Sequence, residues 1–451
     1  MSSAVRFFRF PAFLLAAALA AFPQAPARGP EVKALEAPAL EFRLKNGLRV
    51  ILAEDDTLPV VSVVVAYGAG AARDENRKGG LAYLMETLMF QGSENIGPMQ
   101  HWAAVERVGG SLNATTTHDV NLFSQTVAAN QLGLVLWLES DRMRSLAAGQ
   151  ETVEKAKEEL VVENRQRRAA DPFLETSFEF DRLLFGGFAA AHPVVGSETE
   201  VKSLTEADIR AFYKAFFVPN NALLCVVGAF NLDRARDLIG RYFETIPAGG
   251  EVPPPAASFP PTDGEEGTLR NVKNAQTVVP ALHLGFRMSS LQTGDRHALR
   301  VLDYLLIRGR SSRLQRRLVR RERVALYLGG GFEERAGTLV FRVFAQGNNE
   351  VMTERCRRVI MEEIERLKTE FVSAEELESA RNRLTADFYG RLTTSLGRAI
   401  ALVEYARSRG NLDDWAAELD KFLRVNPQTL ISLVNRHFDR KRSVVLNVQV
   451  R

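Results

Sequence analysis

The sequence predicts an α+β chain made of two repeated halves, each a sheet with long helices on one face. Three observations predict it. At 451 residues the chain exceeds the ~250–300 residues at which single cores stop growing, so two domains are expected. The stretch from Ile246 to Gly264 holds Pro247, Pro253, Pro254, Pro255, Pro260 and Pro261 without apolar periodicity, the composition of a stiff extended linker. The segments on either side of that linker follow the same order.

In the first half, Val60–Val65 reads as a strand, followed by a polar loop and a helix from Gly80 to Phe90. In the second, a strand from Val278 to Phe286 leads through a polar loop to a helix from Arg296 to Ile307. Both helices run into glycine, as Phe90-Gln91-Gly92 and Ile307-Arg308-Gly309. Both halves also close alike. A helix ending at Phe217 feeds the strand Ala222–Val227, and one ending at Phe438 feeds Ser443–Val448. Between these landmarks, Asn130–Leu146, Thr152–Arg168 and the long stretch Ala374–Arg407 carry apolar residues at helical spacing.

The charge of +3 is small for this length and gives no global field for nucleic acid or membrane binding. Arg6 and Arg9 precede an apolar run from Phe10 to Phe22 and a small-residue stretch ending at Ala27. A basic region, a short apolar run and small residues form an export-signal pattern, placed at residues 1–28. The run is too short to span a bilayer comfortably, so an exported, periplasmic or extracellular protein without a stable membrane span is expected. Cys225 sits in an apolar strand and Cys356 in a charged helix of the other half. They are expected to be buried or partly buried free thiols, since cores of this size need no disulfide.

The helix in the first half reads Gly80-Leu81-Ala82-Tyr83-Leu84-Met85-Glu86-Thr87-Leu88-Met89-Phe90-Gln91-Gly92-Ser93. It resembles the signature helix of the pitrilysin/insulinase family of zinc peptidases, whose active members carry His-x-x-Glu-His. Histidines at i and i+4 share a helical face and bind zinc, and the glutamate activates the metal-bound water. Here Tyr83 and Thr87 stand at the histidine positions, and Glu86 remains. The resemblance extends over most of residues 40–450. It includes Gly109–Asp119, Leu136–Met143, the Pro219-Asn220-Asn221-Ala222 turn, and Val161-Val162-Glu163-Asn164-Arg165, where Glu163 matches the third metal ligand. It implies two homologous insulinase-like halves with mainly antiparallel sheets, at 38–246 and 265–451, joined by a linker at 247–264.

A phenol and a hydroxyl are poor zinc ligands, and His101 and His118 lie elsewhere in the sequence, so Tyr83, Glu86, Thr87 and Glu163 are expected to be a degenerate site holding no metal. The six histidines read as ordinary surface or hydrogen-bonded residues. In the second half, Ser311–Tyr327 resembles the family motif in which an arginine and a tyrosine seven residues apart reach the substrate. Arg320 and Tyr327 match those positions. A guanidinium and a phenolic hydroxyl suit holding a peptide carbonyl and developing oxyanion charge. Eight arginines crowd Arg308–Arg323, so a basic solvated helix is the plainer reading of Arg320; without interleaved aromatics, nucleic acid binding is not expected.

The resemblance therefore implies a zinc-less subunit that binds peptide and supports a zinc-bearing insulinase-family partner, as in the mitochondrial processing peptidase. Peptide is expected to add as a strand along an edge near Asn113–Thr117. No cofactor is expected in this chain; the zinc belongs to the partner. The alternative is a purely structural or scaffolding subunit with no role in hydrolysis.

Overall fold

The computed structural model describes residues 39–451, except 76, 254–266, 289, 290 and 293. The expected export signal and most of the proline-rich linker lie outside the described residues. In the first half, strands β1 (Leu40–Arg43), β2 (Arg49–Glu54), β3 (Val60–Tyr67), β4 (Ser111–Thr116), β5 (Asn121–Ala128) and β6 (Ala222–Gly228) form a sheet ordered β1-β2-β6-β3-β5-β4. In the second, β7 (Thr268–Asn274), β8 (Ala281–Met288), β9 (Ala325–Arg335), β10 (Thr338–Gly347) and β11 (Ser443–Val450) are ordered β7-β11-β8-β10-β9. Apart from β1, the two orders are the same walk. In each, one parallel pair, β2 with β6 and β7 with β11, interrupts an otherwise antiparallel sheet. The repeat read from strand and helix order is thus a repeat of topology.

The helices of the first half are α1 (Leu81–Leu88), α2 (Gln100–Arg107), α3 (Leu132–Arg144), α4 (Gln150–Ala170), α5 (Leu174–Phe185), α6 (Phe188–Ala191), α7 (Glu198–Ser203), α8 (Glu206–Phe216) and α9 (Leu232–Phe243). Those of the second are α10 (Asp295–Leu306), α11 (Glu350–Thr369), α12 (Ala374–Leu392), α13 (Ser395–Arg409), α14 (Glu418–Leu423) and α15 (Pro427–His437). The equivalent helices α1 and α10 both start after a left-handed glycine, Gly80 at φ 89° and Gly294 at φ 92°. Only glycine takes that conformation without strain.

Each sheet packs its own helices on one face, as the sequence predicts. The opposite face is covered by a helix from the other half. Leu402, Ala399 and Ala406 of α13 bury against Ile51, Val64 and Cys225 of the first sheet. Phe180 and Leu184 of α5 bury against Val340, Val444 and Leu446 of the second. That exchange explains why β6 is buried along its whole length: both faces are covered. It also ties the halves together through their cores.

Two boundaries differ from the sequence reading. The stretch Ala374–Arg407 is two helices, because the Thr394 hydroxyl turns back to accept from the Gly397 N–H at 3.0 Å and starts α13 afresh. Strand β8 begins at Ala281 rather than Val278. Pro280 has no N–H to give the ladder, and Val278 before it stands 90% exposed. Both cysteines are buried free thiols. No helix among the described residues is long and apolar enough to cross a membrane.

Candidate functional site: the degenerate metal site

Helix α1 turns Leu81, Ala82, Leu84, Met85 and Leu88 into the core. The spacing leaves Tyr83, Glu86 and Thr87 half-buried on the other face, at i, i+3 and i+4. The helix is held at its start by the buried Asp74 carboxylate, which accepts from the Gly80 and Ala82 N–H groups at 2.9 Å each. Helix α4 brings Glu163 to the exposed face of α1, so the structure gathers all four residues expected at the degenerate site.

Tyr83 and Glu163 are joined by hydrogen bonds, while Glu86 bonds separately to the edge strand. The Tyr83 hydroxyl donates to Glu163 Oε1 at 2.9 Å. Arg167 Nη2 donates to the same Glu163 oxygen and to the Tyr83 hydroxyl, both at 2.6 Å. Its guanidinium also lies over the Tyr83 ring, 5.3 Å from the centroid. Burial first, and then the Glu163 carboxylate, push the Tyr83 phenol well above its usual range, so it stays a neutral donor. Glu86 accepts from the Thr116 hydroxyl at 2.5 Å, and burial raises its pKa.

This donor set does not fit zinc. The two positions expected to carry imidazoles carry a neutral phenol and a hydroxyl, and Glu163 is already ion-paired with Arg167. Among the described residues, no group of three or more His, Cys, Asp or Glu could hold a metal ion. The histidines are engaged elsewhere. All six are buried, not on the surface. His101 pairs with Gln125, His118 with the His192 carbonyl, His192 with Asp74, His283 with Thr176, His297 with Glu418 and His437 with Asp295.

Arg167 is the member of the site that the motif reading missed. Its signal was present: it follows Glu163 by one helical turn, the spacing of an i,i+4 ion pair. Thr116 was passed over within the edge-strand segment. That segment is the free edge of the first sheet, β4, with Asn113 exposed at its middle and Ser124 of β5 opposite.

Arg320 and Tyr327 are both exposed, on a π-helical turn Gln315–Arg321 and at the start of edge strand β9. No described contact joins either to Tyr83, Glu86 or Glu163. Tyr327 reaches the first half through rings: it lies 6.0 Å from Phe344, which lies 5.3 Å from Phe173, between α4 and α5. The arginine-rich segment around Arg320 is not a freely solvated helix. Arg313 and Arg317 are bound by Glu376, Glu322 and Glu363.

Comparison with known proteins adds to this geometry. The family model described as insulinase (peptidase family M16) matches residues 49–179, and that described as peptidase M16 inactive domain matches residues 203–384. The zinc protease PqqE of Helicobacter pylori is 26% identical over 412 residues, covering 89% of this chain and 91% of that protein. The mitochondrial-processing peptidase subunit beta of Blastocladiella emersonii is 28% identical over 226 residues, 46% of this chain and 44% of that one. Among solved structures, a protease from Helicobacter pylori superposes with a TM-score of 0.86 at 24% identity, covering 92% of this chain and 100% of that chain.

Proposed function

We propose that this chain, which belongs to the insulinase (M16) family of peptidases, is a member without a zinc site that holds peptide and supports a zinc-bearing partner in proteolysis. One observation carries the first part of that reading. Tyr83, Glu163 and Arg167 form a closed hydrogen-bond network at positions whose motifs resemble the family's metal ligands, with a cation already on Glu163. The "inactive domain" match bears on residues 203–384 and not on α1, so the argument for inactivity rests on the side chains at 83 and 87.

The remaining roles belong to groups that act on substrate without a metal. The free edge of β4 offers main-chain partners for an extended peptide near Asn113. The Arg320 guanidinium and the Tyr327 hydroxyl are exposed donors that can hold a carbonyl and stabilise oxyanion charge formed on a neighbouring subunit's zinc. Similarity to a processing-peptidase subunit supports looking for that partner among zinc-bearing relatives. The basic, apolar, small-residue pattern at residues 1–28 supports export, and the meeting of both chains outside the cytoplasm.

The test is co-purification with an insulinase-family chain of the same source that has an intact zinc motif, followed by kinetics on a flexible peptide. Alone, this chain should be inert and carry no stoichiometric zinc by elemental analysis. Added to the partner, it should raise kcat/KM. One zinc per chain lost on Glu163→Gln, or a partner indifferent to this chain, would each defeat the reading, the second in favour of a scaffold.

A further inference from the structure

The second half carries a basic groove that the chemistry above does not use. It lies between the turn Gln315–Arg321 and α11, encloses about 890 Å3, and is lined by eight arginines and four glutamates. Its inner guanidiniums are fixed. Arg313 forks onto the Glu376 carboxylate at 3.2 and 2.9 Å. Arg317 donates to Glu322 at 2.9 Å, to Glu363 at 2.8 Å and to Glu362. Arg313 is only 8% exposed, yet its Nη1 has no hydrogen-bond acceptor, and the Glu363 carboxylate stands 3.9 Å away. Arg321, Arg358 and Arg440 line the same groove, are exposed, and form no ion pair among the described residues.

The geometry points to a binding site for a compact multivalent oxyanion of the oligophosphate type. Five of the eight lining arginines are already paired with carboxylates. That leaves Arg321, Arg358 and Arg440 as positive charges on one groove with no ion pair among the described residues, and like charges gathered on one surface repel unless an anion joins them. Arg313 Nη1, buried in the lining and without a hydrogen-bond acceptor, adds a donor, and guanidinium forks match phosphate oxygens. The wall also limits the ligand's chemistry. Among the described lining residues Met361 is the single apolar side chain and no aromatic ring is present. A nucleobase would find nothing to stack on, and an acyl chain or a peptide's apolar side chains nothing to pack against. The site is independent of the zinc reading.

The full-length protein should be titrated with tripolyphosphate by calorimetry, at low and at physiological salt. One equivalent should bind, more weakly as salt rises. Arg321→Glu with Arg358→Glu should weaken binding about tenfold or more, since both lose charge-assisted contacts. Arg234→Glu with Arg241→Glu on α9 makes the same charge change elsewhere and should leave binding intact. Circular dichroism checks that each variant folds; if the reversal pair does not, Arg358→Ala alone should still weaken binding. Absence of binding by the unmodified chain, equal losses in both reversal pairs, or a glutamate-rich peptide binding as tightly as tripolyphosphate would each overturn the assignment.

Discussion

The Tyr83 hydroxyl donates to Glu163 Oε1 at 2.9 Å, joining residues 80 positions apart on two helices. By the motif resemblance of α1 and α4, these two positions are the ones expected to share a metal ion in an active relative. Here a phenol and the Arg167 guanidinium satisfy the carboxylate, so the two helices keep their contact without a cofactor. The place where the two helices meet is a packing and hydrogen-bond junction.

That junction sets how a metal site could be introduced. Tyr83→His with Thr87→His puts two imidazoles on one face of α1, one turn apart, beside Glu86 and Glu163. Zinc must then displace Arg167 from Glu163, so the double variant should bind zinc only modestly. Adding Arg167→Ala should tighten binding by roughly tenfold or more, the usual scale for a group that controls a ligand from behind. Zinc affinities from competition with a chromophoric chelator decide it. A triple variant that binds no better than the unmodified chain would mean that Tyr83, Thr87 and Glu163 do not occupy the family's metal positions.

The helix exchange predicts how the chain unfolds. Leu402 of α13 is fully buried against the first sheet although α13 belongs to the second half. Leu402→Ala should cost roughly 2–5 kcal/mol, the range for a buried leucine left as a cavity. Because α13 and α5 are traded between the sheets, the loss should lower a single transition of both halves together. Denaturant unfolding followed by near-UV and far-UV signals tests this. Two separated transitions, with only the second half weakened, would show that the exchange does not couple the cores.

Acid should act through His283. Burial first, and then the Arg342 guanidinium, lower His283 from its ordinary 6.5 to about 3. It stacks on Phe180 of α5, so it stands at the contact between the halves. With the folded pKa depressed, the unfolded chain takes up the proton first as pH falls. The stabilisation is therefore complete above about pH 6.5 and is lost progressively down to about pH 3. By pH 5 His283 alone should have cost about 2 kcal/mol. His283→Phe should flatten this part of the stability profile while losing the Thr176 hydrogen bond. An unchanged acid slope in that variant would remove His283 from the account.

The sequence made the repeat legible because strand and helix order are local patterns, and the two halves keep the same walk through their sheets. It made α1 legible through apolar spacing and the surviving Glu86. The exchange of α5 and α13 was not legible, since an amphipathic helix shows which face it buries but not which sheet receives it. Arg167 was hidden for a related reason. Its spacing from Glu163 marks an ordinary surface ion pair, and only the approach of α1 turns that pair into a network with Tyr83. The paired state of the arginines near Arg320 likewise depends on glutamates from α11 and α12, some 45 to 63 residues away.

The last prediction concerns Arg320 and Tyr327. Both are exposed, Arg320 forms no ion pair among the described residues, and the Tyr327 ring is steadied by Phe344. A charged donor without an ion pair among the described residues, and a phenol placed by an aromatic neighbour, suit a partner's substrate better than they suit stability. Arg320→Ala should therefore leave the unfolding midpoint nearly unchanged, as for other unpaired surface substitutions. In the assembled pair it should lower kcat/KM roughly 10²–10³-fold if the guanidinium stabilises oxyanion charge. Arg320→Lys keeps the charge but not the fork, and should recover only part of the loss. Tyr327→Phe retains the packing on Phe344 and removes only the hydroxyl, so it should cost less than Arg320→Ala. Steady-state kinetics on the co-purified pair, with its stoichiometry checked for each variant, separates these effects. Full activity in Arg320→Ala, with the pair intact, would remove these groups from substrate binding and leave the chain with a scaffolding role.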